Sequence, residues 1–488
     1  MNPAVQAHPL PDAAQESARP APLALAPATR PPEQVSAGAA GAGVLPVYQA
    51  YRFTLDPTPR QQRALASATG GARFAYNWGL ALVKRRLDAR AAGQDVQVPW
   101  TLPALRREWN QAKNDVAPWW RDNSKEAYSS GLDGLARALK SWSDSRNGTR
   151  KGRRVGFPQR KRKHRAREAC RFNTGTIRVE ADRHHVTLPR LGTIRTHEST
   201  RKLARRLEQG SARILAATIS RSANRWFVSF TCQVQRHVPG PNRRPGVVGV
   251  DVGIRNLAVL SDGTIVPNPR PLEGLQRRRR RFQRQWNRQE QARKTSGQLR
   301  QGRRQQATRR RLARLEARAA DLRRDGLHKL TSRLAREHST IVVERLNVAG
   351  MVRNRRLARV ISDAGFGTIR RLLAYKSTWH GARLVVADPF YPSSKTCSGC
   401  GAVKAKLSLA ERTYRCESCG MVLDRDLNAA RNLASLVGSG RREWPGDPNA
   451  RGGDVRPGVG WADPGEARTP HQRLLGKTGT AGPQGPAT

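Results

Sequence analysis

Val247-Val-Gly-Val-Asp-Val-Gly-Ile-Arg-Asn-Leu-Ala-Val-Leu-Ser-Asp-Gly263 is the stretch from which the rest of the chain is read. An apolar run ends on a carboxylate, Asp251. A second apolar run leads into the turn Ser261-Asp262-Gly263. Val, Ile and Leu around a glycine and an Asp-Gly turn specify a β-hairpin. Its first strand is expected to be buried, and it points a lone Asp out of an apolar sheet. An unpaired buried carboxylate is expensive, so Asp251 needs a partner or a metal ion. The groups able to join it lie far away in sequence.

Composition narrows the class. A chain of 488 residues is expected to hold several domains. Ninety Lys and Arg face 37 Asp and Glu, a formal charge of +53. Such an excess calls for a polyanion, and nucleic acid is the natural one. An acidic membrane surface fits less well, because no segment approaches the ~18 uninterrupted apolar residues of a membrane span and no lipidation signal is present. Four of the six cysteines are clustered, which is not a secreted disulfide framework. The expected location is cytoplasmic, nucleoid-associated and bacterial in type.

Residues 1–46, rich in Ala, Pro, Gln and Gly, are expected to form a disordered arm, and prolines break every apolar run that a secretory signal would need. Residues 47–57 alternate as a strand, and Thr58-Pro59 starts a helix with an N-cap and a first-turn proline. The helical insertion spans 58–167. Its tryptophans, at helical spacing, read as core rather than as base-stacking platforms. The insertion ends in a crowded basic loop with Arg153, Arg154, Arg160, Lys161, Arg162 and Lys163, suited to a phosphate backbone. Residues 168–240 read as strands and, with 47–57, as an N-terminal β-barrel into which the helices are inserted. There, His184 and His185 read as turn residues and Cys170 and Cys232 as buried thiols.

After a linker, Pro239-Gly-Pro-Asn-Arg-Arg-Pro245, an α/β core is expected over 246–392. It carries a basic helical arm, 270–325, that includes Arg277, Arg278, Arg309, Arg310 and Arg311 and breaks near Thr295-Ser-Gly297. A nearly single-signed arm is unfavourable unless it lies along phosphates. Ser339-Thr-Ile-Val-Val-Glu344 is a second apolar strand ending on a carboxylate. Thr368–Trp379 reads as a helix and Leu384-Val-Val-Ala-Asp388 as a third strand.

Cys397-Ser-Gly-Cys400, fifteen residues, then Cys416-Glu-Ser-Cys419 places two knuckles at zinc-ribbon spacing, over 393–422. Four thiolates saturate a tetrahedral Zn²⁺ and leave no open position, so this zinc is structural. Asp424-Arg-Asp426-Leu-Asn-Ala-Ala begins a helix, the last core segment, 423–437. Its first turn offers a capping group or a third carboxylate. Residues 438–488 read as a disordered basic tail. Asp251, Glu344 and an Asp of that late helix, drawn to one end of a sheet, would suit two hard Mg²⁺ ions about 3.5–4 Å apart.

These motifs resemble a known family. Gly249-Val-Asp251, Val343-Glu344 and the cysteine segment followed by Asp424-Arg-Asp426-Leu-Asn-Ala-Ala430 are similar to the three motifs of RuvC-type nuclease domains. Gly71-Ala-Arg-Phe-Ala-Tyr-Asn-Trp78, Gly156-Phe-Pro-Gln-Arg-Lys-Arg-Lys163, Asp325-Gly-Leu-His-Lys329 and Tyr391-Pro-Ser-Ser-Lys-Thr-Cys397 extend the likeness to the TnpB (OrfB) proteins of insertion sequences, relatives of type V CRISPR effectors, over roughly residues 47–437. The resemblance implies an RNase H-like (RuvC) core and an RNA-guided DNA endonuclease. Its partners would be a transposon-end guide RNA and a double-stranded DNA target, with no membrane. It implies Asp251, Glu344 and Asp426 as the catalytic carboxylates and Mg²⁺ ligands, and Cys397, Cys400, Cys416 and Cys419 as the Zn²⁺ ligands. Two other readings stand beside it: a transposase that joins strands, and a regulatory nucleic-acid-binding protein without cleavage. The intact acidic set disfavours the second.

Overall fold

A computed structural model describes residues 43–437, apart from 151, 164, 241–245, 299–300 and 409. The expected arm up to residue 42, the tail from 438 and most of the linker lie outside the described residues. The first half begins with β1 (Gly43–Asp56), followed by α1 (Pro59–Ala91), α2 (Leu102–Val116) and α3 (Lys125–Arg146). Then come β2 (Glu168–Phe172), β3 (Arg178–Val179), β4 (His185–Leu188), β5 (Gly192–Thr196), α4 (Arg201–Glu208), β6 (Ala212–Ser222) and β7 (Arg225–Val238). β1 starts four residues earlier than its alternation suggested. Gly43 to Pro46 pair with Gln235 to Val238 of β7, so these residues are strand and not arm. Pairing along a long partner strand overrides a proline- and glycine-rich composition.

Thr58 caps α1 as expected. Its side chain accepts from Gln61 N, and the Gln61 side chain accepts from Thr58 N, a reciprocal capping box with Pro59 in the first turn. α1 crosses α3 closely: a Cβ on Gly131 would lie 2.0 Å from the Ala72 carbonyl oxygen. Beside this crossing, Trp109 is buried against Phe74, Trp78 and Tyr128, with ring centroids 5.0–6.2 Å apart. The aromatic residues are therefore largely core, although Trp119 and Trp100 keep more than a third of their surface exposed.

The seven strands form one sheet in the order β2-β6-β7-β1-β5-β4-β3. The expected barrel is not closed, because no ladder joins β2 to β3 among the described residues. The sheet nonetheless wraps one apolar core. Cys170 and Phe172 near one edge share a cluster with Val186, Leu188 and Ile194 near the other. Cys170 and Cys232 are buried thiols in this core, and burial pushes the Cys170 thiol upward.

The second half contains β8 (Val247–Asp251), β9 (Asn256–Leu260), β10 (Ile265–Pro267), α5 (Pro271–Gly274), α6 (Gln276–Thr295), α7 (Arg303–Glu337) and β11 (Thr340–Val343). α8 (Val348–Met351), α9 (Ala358–Ala364), α10 (Phe366–His380), β12 (Arg383–Val386), β13 (Thr413–Arg415), β14 (Val422–Asp424) and α11 (Arg425–Ser435) follow. The sheet order is β10-β9-β8-β11-β12. β8 and β9 are the antiparallel hairpin of the opening motif, while β11 lies parallel to both β8 and β12. Parallel strands are covered on both faces, and all four residues of β11 are buried. α7 and α10 pack on this sheet. Their contact includes the buried Lys376, whose Nζ donates to His328 O, Thr331 Oγ1 and Ser332 Oγ at 2.6–2.8 Å. Burial pushes Lys376 down to about 8 and His328 down to about 4. No described helix is long and apolar enough to cross a membrane.

α11 lies directly on β8. A Cβ on Gly249 would stand 1.9 Å from the Ala430 carbonyl oxygen and 2.6 Å from the Ala434 nitrogen. Gly249→Ala is expected to force the helix off the strand and to cost about 1–3 kcal/mol. Thermal melting reads this directly, and an unchanged melting temperature would show that the helix is free to shift.

Candidate active site and metal centre

Asp251 ends β8, Glu344 follows the last residue of β11, and Asp426 sits in the first turn of α11. β8 and β11 run parallel in register, Val343 opposite Val250, so Asp251 and Glu344 leave neighbouring strands at the same end. α11 brings Asp426 to that end. Asp251 is held well above the usual carboxylate range, first by withdrawal from water, then by the charges of Glu344 and Asp426, with Asp424 adding to them. Arg425 opposes the rise. The Arg425 guanidinium is itself tied to the carbonyls of Ser408 and Glu411, at 3.1 and 3.3 Å.

The two aspartates of the late turn differ. Asp424 is the N-cap of α11: one carboxylate oxygen accepts from Asp426 N at 2.9 Å and Leu427 N at 3.1 Å. Asp426 has no such capping duty, and its charge reaches Asp251. Glu344 accepts a hydrogen bond from the buried Ser393 hydroxyl. Asp251 therefore lies in the field of several carboxylates, which are oxygen donors of the type that hard divalent cations take.

The four cysteines converge from two knuckles, with Tyr414 buried among them. Their ligand atoms all lie within 4.8 Å of one another, the one group of three or more potential ligands this tight among the described residues. The Cys397–Cys419 and Cys400–Cys416 Sγ pairs are each 3.6 Å apart and unbonded. A tetrahedron with metal–sulfur bonds of about 2.3 Å has edges of about 3.8 Å. The cluster therefore fits a tetrahedral zinc. Backbone N–H groups of Cys419 and Ser418 help bring the Cys416 thiol down to about 6.

The basic residues are placed unevenly. Arg153, Arg154, Arg160, Arg162 and Lys163 are exposed, but Lys161 is not part of that comb. Its Nζ lies 3.8 Å over the Tyr76 ring, Asn77 brackets its backbone, and burial pushes it down to about 8. It anchors the loop to α1. Arg277, Arg278, Arg309, Arg310 and Arg311 are exposed on α6 and α7, and none pairs with a carboxylate among the described residues.

A cleft of about 970 Å³ that no motif singled out lies beside α4, walled by Arg201, Lys202, Arg205, Arg206, Arg236 and Arg336, with no Asp or Glu lining it. Arg236 lies 4.2 Å over the Trp379 ring, and burial, then Arg206, lowers its pKa. A signal was present in Arg201-Lys-Leu-Ala-Arg-Arg, whose charges recur at helical spacing. The other walls come from β1, β7 and α7, distant in sequence.

Three family models match the chain: "Helix-turn-helix domain" over residues 47–91, "Probable transposase" over 229–355 and "Cas12f1-like, TNB domain" over 366–433. A Mycobacterium tuberculosis protein provisionally named RNA-guided DNA endonuclease is 42% identical over 449 residues, covering 86% of this chain and 93% of its own. An Escherichia coli K12 protein provisionally named RNA-guided DNA endonuclease InsQ is 29% identical over 401 residues, covering 79% and 91%. Among solved structures, the Cas12f1 chain of a complex with single guide RNA and target DNA aligns at TM-score 0.45 and 11% identity, covering 80% of this chain and 99% of that one. With a relative 42% identical over 86% of this chain and 93% of its own length, the chain belongs to the TnpB (OrfB) family.

Proposed function

We propose that the chain is an RNA-guided DNA endonuclease that hydrolyses phosphodiester bonds at a RuvC-like, three-carboxylate site. The observation that carries this reading is the meeting of Asp251, Glu344 and Asp426 at one end of the mixed sheet, where Asp251 feels the other two charges. Three carboxylates left alone would repel one another, so their arrangement is accounted for by divalent cations. When bound there, Mg²⁺ would supply an activated water and neutralise charge on the leaving oxygen. The three carboxylates would hold the ions at a fixed place, and Arg425 would relieve part of the excess negative charge. Zn²⁺ would be held apart by Cys397, Cys400, Cys416 and Cys419, closed to substrate.

The basic surfaces supply the grip. A guide RNA from the transposon end and a DNA target would form a hybrid that is recognised by shape and charge, with base pairing supplying sequence. The exposed arginines of α6 and α7, the 153–163 loop and the cleft beside α4 are suited to phosphates because few carboxylates neutralise them. The transposase reading shares the fold and the acids; hydrolysis is preferred here because the names carried by the full-length relatives are those of endonucleases.

Cleavage of a plasmid library with randomised flanks, by protein carrying its co-purified RNA, tests the reading. Mg²⁺-dependent double-strand cuts are expected, and Asp251→Ala should reduce them by at least about a thousandfold. Persistent cutting by Asp251→Ala, or protein that retains no RNA, would overturn the proposal. Elemental analysis is expected to find about one zinc per chain, lost in Cys416→Ser together with thermal stability. Changing Arg309, Arg310 and Arg311 together to Gln should weaken RNA binding uniformly across sequences. The slope of log affinity against log salt should fall by up to about three units for a duplex; an unaltered slope would place the phosphates elsewhere.

A further inference from the structure

The segment between β12 and Cys397 is pinned to α11 by two buried asparagines. Asn432 Nδ2 donates to Ser393 O at 2.8 Å and to Thr396 O at 2.6 Å. Asn428 Nδ2 donates to Thr396 O at 2.7 Å, and its Oδ1 accepts from Ser398 N at 2.9 Å. Tyr391 adds a bond from its hydroxyl to Asn432 O at 3.1 Å. Asn428 is fully buried, and Ser393, Thr396 and Asn432 are each 3% exposed. From this hydrogen-bonded backbone, Ser393 Oγ donates to Glu344 Oε1.

Resting on the nuclease reading above, we infer that Ser393 is a positioning residue for Glu344. It occupies one lone pair of Oε1 and fixes the carboxylate's rotation, which leaves Oε2 and the remaining Oε1 lone pair for a cation. The asparagines make this aim depend on α11 and on the first knuckle, so the cysteine cluster and the acidic site share one rigid connection. Asp426 on α11 and Glu344 beside Ser393 are thereby set by the same helix. A carboxylate that must serve as a metal ligand gains affinity when its orientation is fixed before the ion arrives. Spacing could not reveal this, because Ser393 and Glu344 are 49 residues apart and a serine in a loop carries no signal of its own.

The test uses the full chain with its bound RNA. Mn²⁺ affinity is read by electron paramagnetic resonance, and the Mg²⁺ concentration for half-maximal cleavage is read in parallel. Ser393→Ala is expected to weaken Mn²⁺ binding and to raise the Mg²⁺ requirement, each by about tenfold or more, with the melting temperature near that of the native protein, and Ser393→Thr, which keeps the hydroxyl, should restore much of the loss. Native Mn²⁺ affinity and Mg²⁺ dependence in Ser393→Ala would overturn the assignment. So would a loss of cleavage that is equal at all Mg²⁺ concentrations with Mn²⁺ affinity unchanged, since that is the mark of a merely structural residue. Glu344→Gln separates the two readings. If Mn²⁺ binds the native protein through Glu344 and weakens in Ser393→Ala while no DNA is cut, the positioning role stands and the nuclease reading falls. If the native protein cuts DNA and Ser393→Ala binds Mn²⁺ normally, the reverse holds.

Discussion

The second half of the chain depends on how closely α11 approaches β8. At Gly249 the strand has no side chain, and the helix answers with Ala430, so backbone meets backbone. Lengths then match. Gly249 lies two residues before Asp251, about 6.6 Å along a strand. Ala430 lies four residues after Asp426, about 6 Å along a helix. Both carboxylates are thus carried to one end of the contact, where the charge of Asp426 helps raise Asp251. The same helix presents Asn428 and Asn432 to the segment that enters the first knuckle. One packing contact therefore sets two of the acids and, through Ser393, the third.

Charge organises the remainder. A chain with a formal charge of +53 keeps its acids where they matter. Some are spent on local pairs, such as Glu290 with Arg293 at 2.7 Å and Asp363 with Arg323 at 2.8 Å. The latter, with Asp363 nearly buried, ties α9 to α7 and carries more weight than the exposed pairs. At the end of β8 and β11, by contrast, Asp251 is raised by the charges of Glu344 and Asp426. Arg277, Arg278, Arg309, Arg310 and Arg311 of α6 and α7 pair with no carboxylate among the described residues. Charge of both signs, kept in different places, is what the proposed nucleic-acid partner and the proposed cation site would require.

Much of this architecture could be read from residue order. The two apolar strands ending on Asp251 and Glu344, the capping box at Thr58, the break between α6 and α7, and the paired cysteine knuckles are local patterns with local physical causes. The strand boundary at Gly43 was not legible, because a partner strand paid the cost of ordering a Pro- and Gly-containing segment. Nor was the open edge of the first sheet, since alternation shows which face is buried but not whether the last strand meets the first. Lys161 sat in a basic run yet proved to be an anchor, because only packing brought Tyr76 beneath it.

What residue order established here is chemical identity: hard oxygen donors at strand ends, four soft thiolates at ribbon spacing, and a large excess of fixed positive charge. These follow from side-chain type and short-range periodicity, which need no knowledge of the folded chain. Which aspartate caps α11 and which faces Asp251, which hydroxyl holds Glu344, and which arginines gather into the cleft beside α4 were settled by folding. Each of those depends on groups tens to hundreds of residues apart, and their meeting is set by helix-on-strand and helix-on-helix packing rather than by any local preference.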